Sequence, residues 1–266
     1  MLQLAEIWIY PIKSLGGISL QQSKVLPKGL AYDRRWMLMD ETHKFMTQRT
    51  LPEMALFTTE IENKTVKVTF RKNNSTIQFP IQEQYDGESF SAIIWDDVVN
   101  VQEVNQTVSE WFTACLQKKC RLVFLPETAL RPVDVRYAKQ KEQVSLADGY
   151  PFLVIGQSSL DDLNKKLKEP ILMNRFRPNF VFTGGLPCEE DHWKKFTIGN
   201  TTFEGVKPCS RCVLINVDQF TAESGKEPLK TLAGYRTQNN KVYFGQNLVL
   251  VSGDEVKVGD KITMVL

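Results

Sequence analysis

Long apolar runs are missing from this chain of 266 residues. No segment approaches the roughly 20 consecutive apolar residues that a membrane span needs, which excludes a helical membrane protein. A strong excess of one charge is missing too. Lysine and arginine number 33 against 31 aspartate and glutamate, a formal charge of +2. That balance by itself points to neither nucleic acid nor an anionic membrane surface. Histidine is scarce, with two residues, His43 and His192. The five cysteines are an odd number, and Met1 to Glu6 shows neither a basic start nor the apolar run of a secretion signal. A disulfide scaffold is therefore not expected, and the chain reads as cytoplasmic with reduced thiols. Internal repeats and low-complexity tracts are absent.

What is present is ordinary for a soluble globular protein: 42% hydrophobic and 24% charged residues. The length allows one large core or two modest ones. Short β-rich runs punctuated by turn residues fill the first hundred positions: 7–10, 18–25, 35–39, 55–61, 66–70 and 77–81. Thr65 to Phe70 alternates apolar and polar residues as a half-buried strand does, and Lys72 to Ser75 makes a hairpin turn after it. Near residue 107 the period changes. Thr107 and Glu110 have capping-box spacing, and Val108, Trp111, Phe112 and Cys115 recur at helical spacing. A second helix is predicted over Ser158 to Lys168, with Leu160, Leu163 and Leu167 on one face. Its Lys165, Lys166 and Lys168 form a solvated face or a dock for an acidic electron donor. The charged, weakly patterned stretch from Leu130 to Asp148 is read as a domain boundary or a mobile loop. Strands return at 179–183, 196–203 around a Gly199-Asn200 turn, 213–217, 242–244, 248–251 and 262–265. The fold class is mixed, β-dominated α+β, with segments 1–125 and 126–266 as two β-barrel-like domains and a few peripheral helices.

The richest stretch chemically is Lys207-Pro208-Cys209-Ser210-Arg211-Cys212. Cys-x-x-Cys serves dithiol redox chemistry, half of a zinc site, or a soft-metal ligand with a neighbour. A dithiol site needs a helix N-terminus to activate the thiol, whereas Cys212 leads into the β-rich run 213–217. A zinc site would add Cys188 and His192 to the pair. The third reading needs one thiolate beside fixed positive charges. Lys13-Ser14, Asp33-Arg34-Arg35 and Arg175-Phe176-Arg177-Pro178-Asn179, each at a strand edge, supply what a buried anion would take. Asp148 reads as a turn aspartate, Cys209 as a small buried filler, and Trp36, Trp95, Trp111 and Trp193 as core or half-buried aromatics.

Six runs in order carry a resemblance to a known family. They are Tyr10-Pro-Ile-Lys-Ser14, Asp33-Arg-Arg-Trp36, Ala147-Asp-Gly-Tyr-Pro-Phe152, Phe176-Arg-Pro-Asn179, Pro208-Cys-Ser-Arg-Cys212 and Phe244-Gly-Gln-Asn-Leu-Val-Leu250. One alone would mean little; six in sequence are specific. Nearly end to end, the chain resembles the MOSC superfamily with its preceding β-barrel domain, the branch of the mitochondrial amidoxime-reducing component and its bacterial relatives. The resemblance implies a molybdenum cofactor of the molybdopterin type. It implies that Cys212 ligates molybdenum and is catalytic, and that Lys13, Ser14, Arg34, Arg177, Asn179, Ser210 and Arg211 hold the cofactor. Gly149 and Tyr150 stand where the mitochondrial relatives have hydroxyl residues that reach the phosphate, so backbone amides would serve there. It further implies oxygen-atom transfer from small N-hydroxylated compounds. Neither the membrane anchor of the mitochondrial proteins nor the ferredoxin-like domain of some bacterial members is read in the chain. Electrons are therefore expected from a separate donor protein of ferredoxin, flavodoxin or cytochrome b5 type, without nucleic-acid or membrane partners. The alternative within the family is a molybdenum-cofactor or sulfur carrier without reductase activity.

Overall fold

The computed structural model describes residues 1–137 and 140–265. Among them the strands form four sheets. The largest runs in the order Ile262–Met264, Lys195–Ile198, Thr201–Arg211, Lys241–Ser252, Phe152–Gly156, Phe180–Thr183, Gln3–Ile9, Ile18–Leu20, with Thr237–Gln238 beside Lys241–Ser252. Hydrogen bonds from Ile262 N to Leu2 O and from Leu4 N to Asp260 O bring its last strand back beside the first and close the sheet. A four-stranded sheet joins Trp36–Met39, Arg121–Phe124, Asp97–Glu103 and Ser89–Ile94, and a three-stranded meander joins Phe57–Glu62, Thr65–Phe70 and Ser75–Pro80. The result is the β-dominated α+β fold read from the sequence. The halves interleave. Gln3–Ile9 pairs with Phe180–Thr183, and Gln22–Leu26 with Glu255–Lys257, so a cut after residue 125 would part hydrogen-bonded strands.

Alternating strand residues make the cores. Trp36, Phe57, Phe70, Phe79, Phe112 and Phe124 pack in one cluster, and Phe152, Phe180, Phe182, Phe196 and Phe203 in another. Each such ring buries enough surface to contribute about 1.5–3 kcal/mol. A third cluster, with Leu153, Phe176, Ile215 and Phe244, underlies the candidate site. There Gly245 (φ +82°) lies so close to its neighbour that a Cβ would stand 2.6 Å from the Ile155 side chain and 2.9 Å from Val154 O, which fixes glycine in this run.

Helix α1 spans Gln106–Leu116. Its N-cap is Asn105, whose side chain accepts from Val108 N at 2.9 Å, two positions before the Thr107 expected from the capping box. Asparagine reaches the free N–H groups of the first turn as well as threonine does. Helix α2 is shorter than expected, Gln157–Asn164, because the Asn164 amide bonds both N (2.9 Å) and O (3.0 Å) of Ile171 and turns the chain back. Helix α3, Leu229–Arg236, was not foreseen. The run 213–217 is not a strand. Val213–Asn216 is a 3-10 turn, Asn216 O accepts from Arg175, and Asn216 Oδ1 accepts from Leu229 N at the start of α3. These tertiary bonds override β-propensity. The described part of 130–148 is fastened at both ends, by a Pro132–Gln143 bridge and by Arg131.

One buried acid makes the fold sensitive to pH. Glu190 is fully buried and accepts from Gly156 N (3.2 Å) and Ser159 Oγ (3.1 Å), while Ser159 Oγ accepts from Cys188 N, tying α2 to the turn 188–192. Burial pushes its carboxyl up to about 7, against backbone N–H donors that favour the ionised form; Asp191, Cys188 and Arg236 stand nearby. A raised folded-state value means the stabilising contribution is complete below the unfolded value of 4.5 and is lost as pH rises to about 7. Denaturant unfolding should show stability falling across that window by on the order of 3 kcal/mol. Glu190→Gln, neutral at every pH, should flatten that fall; an unchanged pH profile in the variant would remove Glu190 as its cause.

Candidate active site

Every site residue that the family resemblance implies lines one cavity of about 330 Å³. Lys13 and Ser14 arrive on the turn after the first strand, Arg34 on the turn before Trp36, and Arg177 and Asn179 ahead of Phe180. Ser210, Arg211 and Cys212 come from the end of the long strand Thr201–Arg211. The backbone is strained where the charges converge. Ser14 (φ +66°), Arg34 (+48°) and Arg177 (+56°) all lie in the left-handed region, which non-glycine residues rarely enter outside sites that hold them there.

Six cationic side chains, Lys13, Arg34, Arg49, Arg177, Lys207 and Arg211, line the cavity with one carboxylate, Asp148. The Arg34 guanidinium is braced by Asp33 Oδ2 (2.6 Å) and Arg177 O (2.9 Å). Both Arg34 and Arg177 pack over the Tyr10 ring, at 4.3 and 4.2 Å. Arg211 donates to Phe244 O (2.8 Å) and Phe176 O (3.1 Å). After these bonds Arg177 Nη2 and Arg211 Nη2 remain buried with no hydrogen-bond partner among the described residues. Burial pulls Arg177 down to about 10, which still leaves it cationic at neutral pH. A buried donor of positive charge without a partner fits an anion. Asn179 differs. Its amide is committed to Leu153 N (3.2 Å) and Trp8 O (3.1 Å), so it fixes the cavity wall.

The sulfur end is organised by residues that sequence reasoning missed. Arg49 Nε donates to Cys212 Sγ at 3.1 Å, and Arg49 Nη2 to Asp148 Oδ2 at 2.6 Å. Lys13 Nζ donates to the other oxygen, Oδ1, at 2.6 Å and to Leu146 O at 2.8 Å. Partial desolvation at the cavity wall works against an ionised Asp148, which is half exposed, but the charges and hydrogen bonds of Lys13 and Arg49 outweigh it and hold the carboxyl below its usual range. Burial pulls Lys13 down to about 8 despite that partner. Asp148 is therefore a clamp between two cations rather than a simple turn residue. Arg211, next to Cys212 in sequence, turns to backbone carbonyls, and distant Arg49 takes the thiol. Buried Arg131 holds this corner from behind. It donates to Ser145 O (2.7 Å), Ala147 O, Asp148 O (3.0 Å) and Asp97 Oδ2 (2.8 Å).

Cys188 and His192 do not line this cavity, and among the described residues no three His, Cys, Asp or Glu side chains are grouped to hold a metal ion. The four-ligand zinc set considered from spacing is not assembled. Cys209 does line the cavity, where burial raises its thiol. No described helix is long and apolar enough to cross a membrane.

Comparison with known proteins agrees with the motif order. The MOSC domain profile matches residues 141–263, and that of the MOSC N-terminal beta barrel domain matches 1–119. The mouse protein named mitochondrial amidoxime-reducing component 1 is 31% identical over 277 residues, covering 97% of this chain and 81% of its own. The rice molybdenum cofactor sulfurase is 30% identical over 284 residues, covering 99% of this chain but 34% of its own. Among solved structures, the YUAD protein from Bacillus subtilis aligns over 98% of this chain and 94% of its own, with a TM-score of 0.45 and 9% identity.

Proposed function

From the premise that the chain belongs to the MOSC family, in the branch with an N-terminal β-barrel domain, we propose that it is a molybdenum-cofactor-dependent reductase of N-hydroxylated compounds. The observation that carries this reading is the convergence of eight motif residues on one cavity, with a thiol at one side and, in its wall, two guanidinium groups that each keep a buried Nη2 without a partner among the described residues. That donor set fits an anionic pterin beside a soft metal. Lys13, Ser14, Arg34, Arg177, Ser210 and Arg211 would hold the organic anion, Asn179 would fix the wall, and the Cys212 thiolate would ligate molybdenum. When bound, the cofactor would supply two-electron reduction of an N–O bond.

The balance is one N-hydroxylated molecule, two electrons and two protons, giving the amine-type product and water. The chain's own groups would serve that balance. Arg49 Nε fixes the Cys212 sulfur through its hydrogen bond. Asp148, held ionised, is an acceptor and not the acid; Lys13 Nζ keeps a titratable proton at the cavity wall. The electrons would come from a separate donor protein of ferredoxin, flavodoxin or cytochrome b5 type. The five free thiols suit a reducing cytoplasm.

The likeness to the rice sulfurase favours a second reading, a carrier of cofactor or sulfur. Elemental analysis of protein from a molybdenum-replete host, followed by an amidoxime assay with a chemical reductant, separates them. Stoichiometric molybdenum with turnover is the expected result. Molybdenum that exchanges freely without turnover would favour the carrier, and zinc in its place would overturn both.

A further inference from the structure

We propose that Trp95 selects substrates at this cavity, offering a stacking surface at its rim that favours flat, conjugated N-hydroxylated molecules over compact ones. The inference rests on the reductase reading for the reacting group, and on the following geometry for the ring.

Trp95 sits at the tip of the hairpin Ser89–Ile94/Asp97–Glu103, where Asp97 pairs with Ile94 and leaves the two-residue turn Trp95-Asp96. Its φ is +56°. Such turns ordinarily take Asn, Asp or Gly, and a bulky aromatic in the left-handed region signals a constraint beyond the turn itself. The tip is fastened to the site. Asp97 Oδ2 accepts from Arg131 Nε at 2.8 Å, and the same guanidinium holds the carbonyls of Ser145, Ala147 and Asp148. The hairpin tip and the Asp148 corner are thus one assembly.

The indole reaches that corner directly. Its ring lies 4.7 Å from the Arg49 guanidinium, its Nε1 donates to Asp148 Oδ1 at 3.4 Å, and Phe45 packs against it at 5.2 Å. Arg49 in turn touches Cys212 Sγ, so one side chain separates the indole from the thiol. With three neighbours gathered on it, Trp95 is still 51% exposed, unlike Trp36 at 0% and Trp193 at 4%. A tryptophan with Arg49 over its ring, strained in backbone, half exposed and in contact with two cavity-lining side chains, Arg49 and Asp148, presents its remaining π-surface beside the cavity to whatever enters. Stacking on such a ring favours an aromatic ligand by roughly five- to tenfold over one that offers no ring.

The test uses the molybdenum-loaded protein with benzamidoxime and acetamidoxime, which carry the same reacting group on a phenyl ring and on a methyl group. Trp95→Ala should lower the benzamidoxime-to-acetamidoxime ratio of kcat/KM by roughly five- to tenfold, chiefly through KM, while Trp95→Phe keeps the ratio within about twofold. An unchanged ratio in Trp95→Ala overturns the proposal, whether both substrates suffer alike, as they would if Trp95 acted only by holding Arg49 and Asp148, or neither does. Calorimetric titration of both molecules into wild type and Trp95→Ala decides the point independently of turnover. If neither molecule is reduced, the reductase reading fails, and a selective loss of benzamidoxime affinity in Trp95→Ala still supports the stacking role.

Discussion

Cys212→Ala should abolish reduction of N-hydroxylated substrates and leave the fold intact. The structural side follows from where the sulfur stands. Cys212 is exposed, and the strand that delivers it is held by backbone pairing of Thr201–Arg211 with Lys241–Ser252. The substitution removes one hydrogen bond, from Arg49, and no buried side chain, so stability should change by no more than about 0.5 kcal/mol. The chemical side is opposite in scale. Removing a group that merely supports a metal ligand costs about 10- to 100-fold; removing the ligand itself should exceed the upper end of that range, with molybdenum content falling in parallel. Cys209→Ala is the informative partner. The Cys209 thiol contacts Ser210 O at 3.9 Å and the Asn247 side chain, not a charged partner like the Arg49 that holds Cys212. If the two cysteines worked as a dithiol, both alanine variants would be equally dead. If Cys212 alone holds the metal, Cys209→Ala should keep most of the rate. Full turnover by Cys212→Ala would dismiss the metal-ligand assignment.

Much of this site could be read in the sequence because its residues sit in short runs that carry both local chemistry and the family resemblance that implied their roles. Lys13-Ser14, Arg177-Pro-Asn179 and Ser210-Arg-Cys212 each combine charge, a turn residue and a strand edge, and all reached the cavity. Arg49 and Arg131 were missed for a physical reason. Nothing near either in sequence distinguishes a buried, functional arginine from a surface one. Their meaning comes from partners 163 and 17 positions away, Cys212 and Asp148. Arg211 shows the converse: it adjoins Cys212 in sequence, yet along a strand neighbouring side chains leave on opposite faces, and its guanidinium goes to Phe244 O and Phe176 O instead. The β-rich run after Cys212 was misread because propensity is blind to Asn216, whose side chain and carbonyl bind α3 and Arg175 and wind the segment into a turn. Trp95 read as one more core or half-buried aromatic because only the hairpin register reveals that it occupies a two-residue turn.

Arg131→Leu should be the most damaging substitution for stability at the site, at about 3 kcal/mol or more. Arg131 is 2% exposed, and its guanidinium satisfies the carbonyls of Ser145, Ala147 and Asp148 besides the Asp97 carboxylate. Leucine fills much of the space but donates nothing. Each carbonyl left buried and unpaired costs about 1–3 kcal/mol. The Asp97 ion pair adds little, because Asp97 is 48% exposed and water replaces the guanidinium there. The loss is therefore in the backbone of 145–148, and its effect should travel along that backbone. Asp148 would no longer be set between Lys13 and Arg49, so turnover should fall even in the fraction that stays folded and metal-loaded. Urea unfolding reads the first effect, and kcat per bound molybdenum the second. Arg131→Lys separates charge from geometry. One ammonium cannot span four acceptors in the fixed fork that a guanidinium provides, so lysine should recover only part of the stability. A leucine variant within about 0.5 kcal/mol of wild type would mean that water satisfies those carbonyls and that the corner needs no arginine.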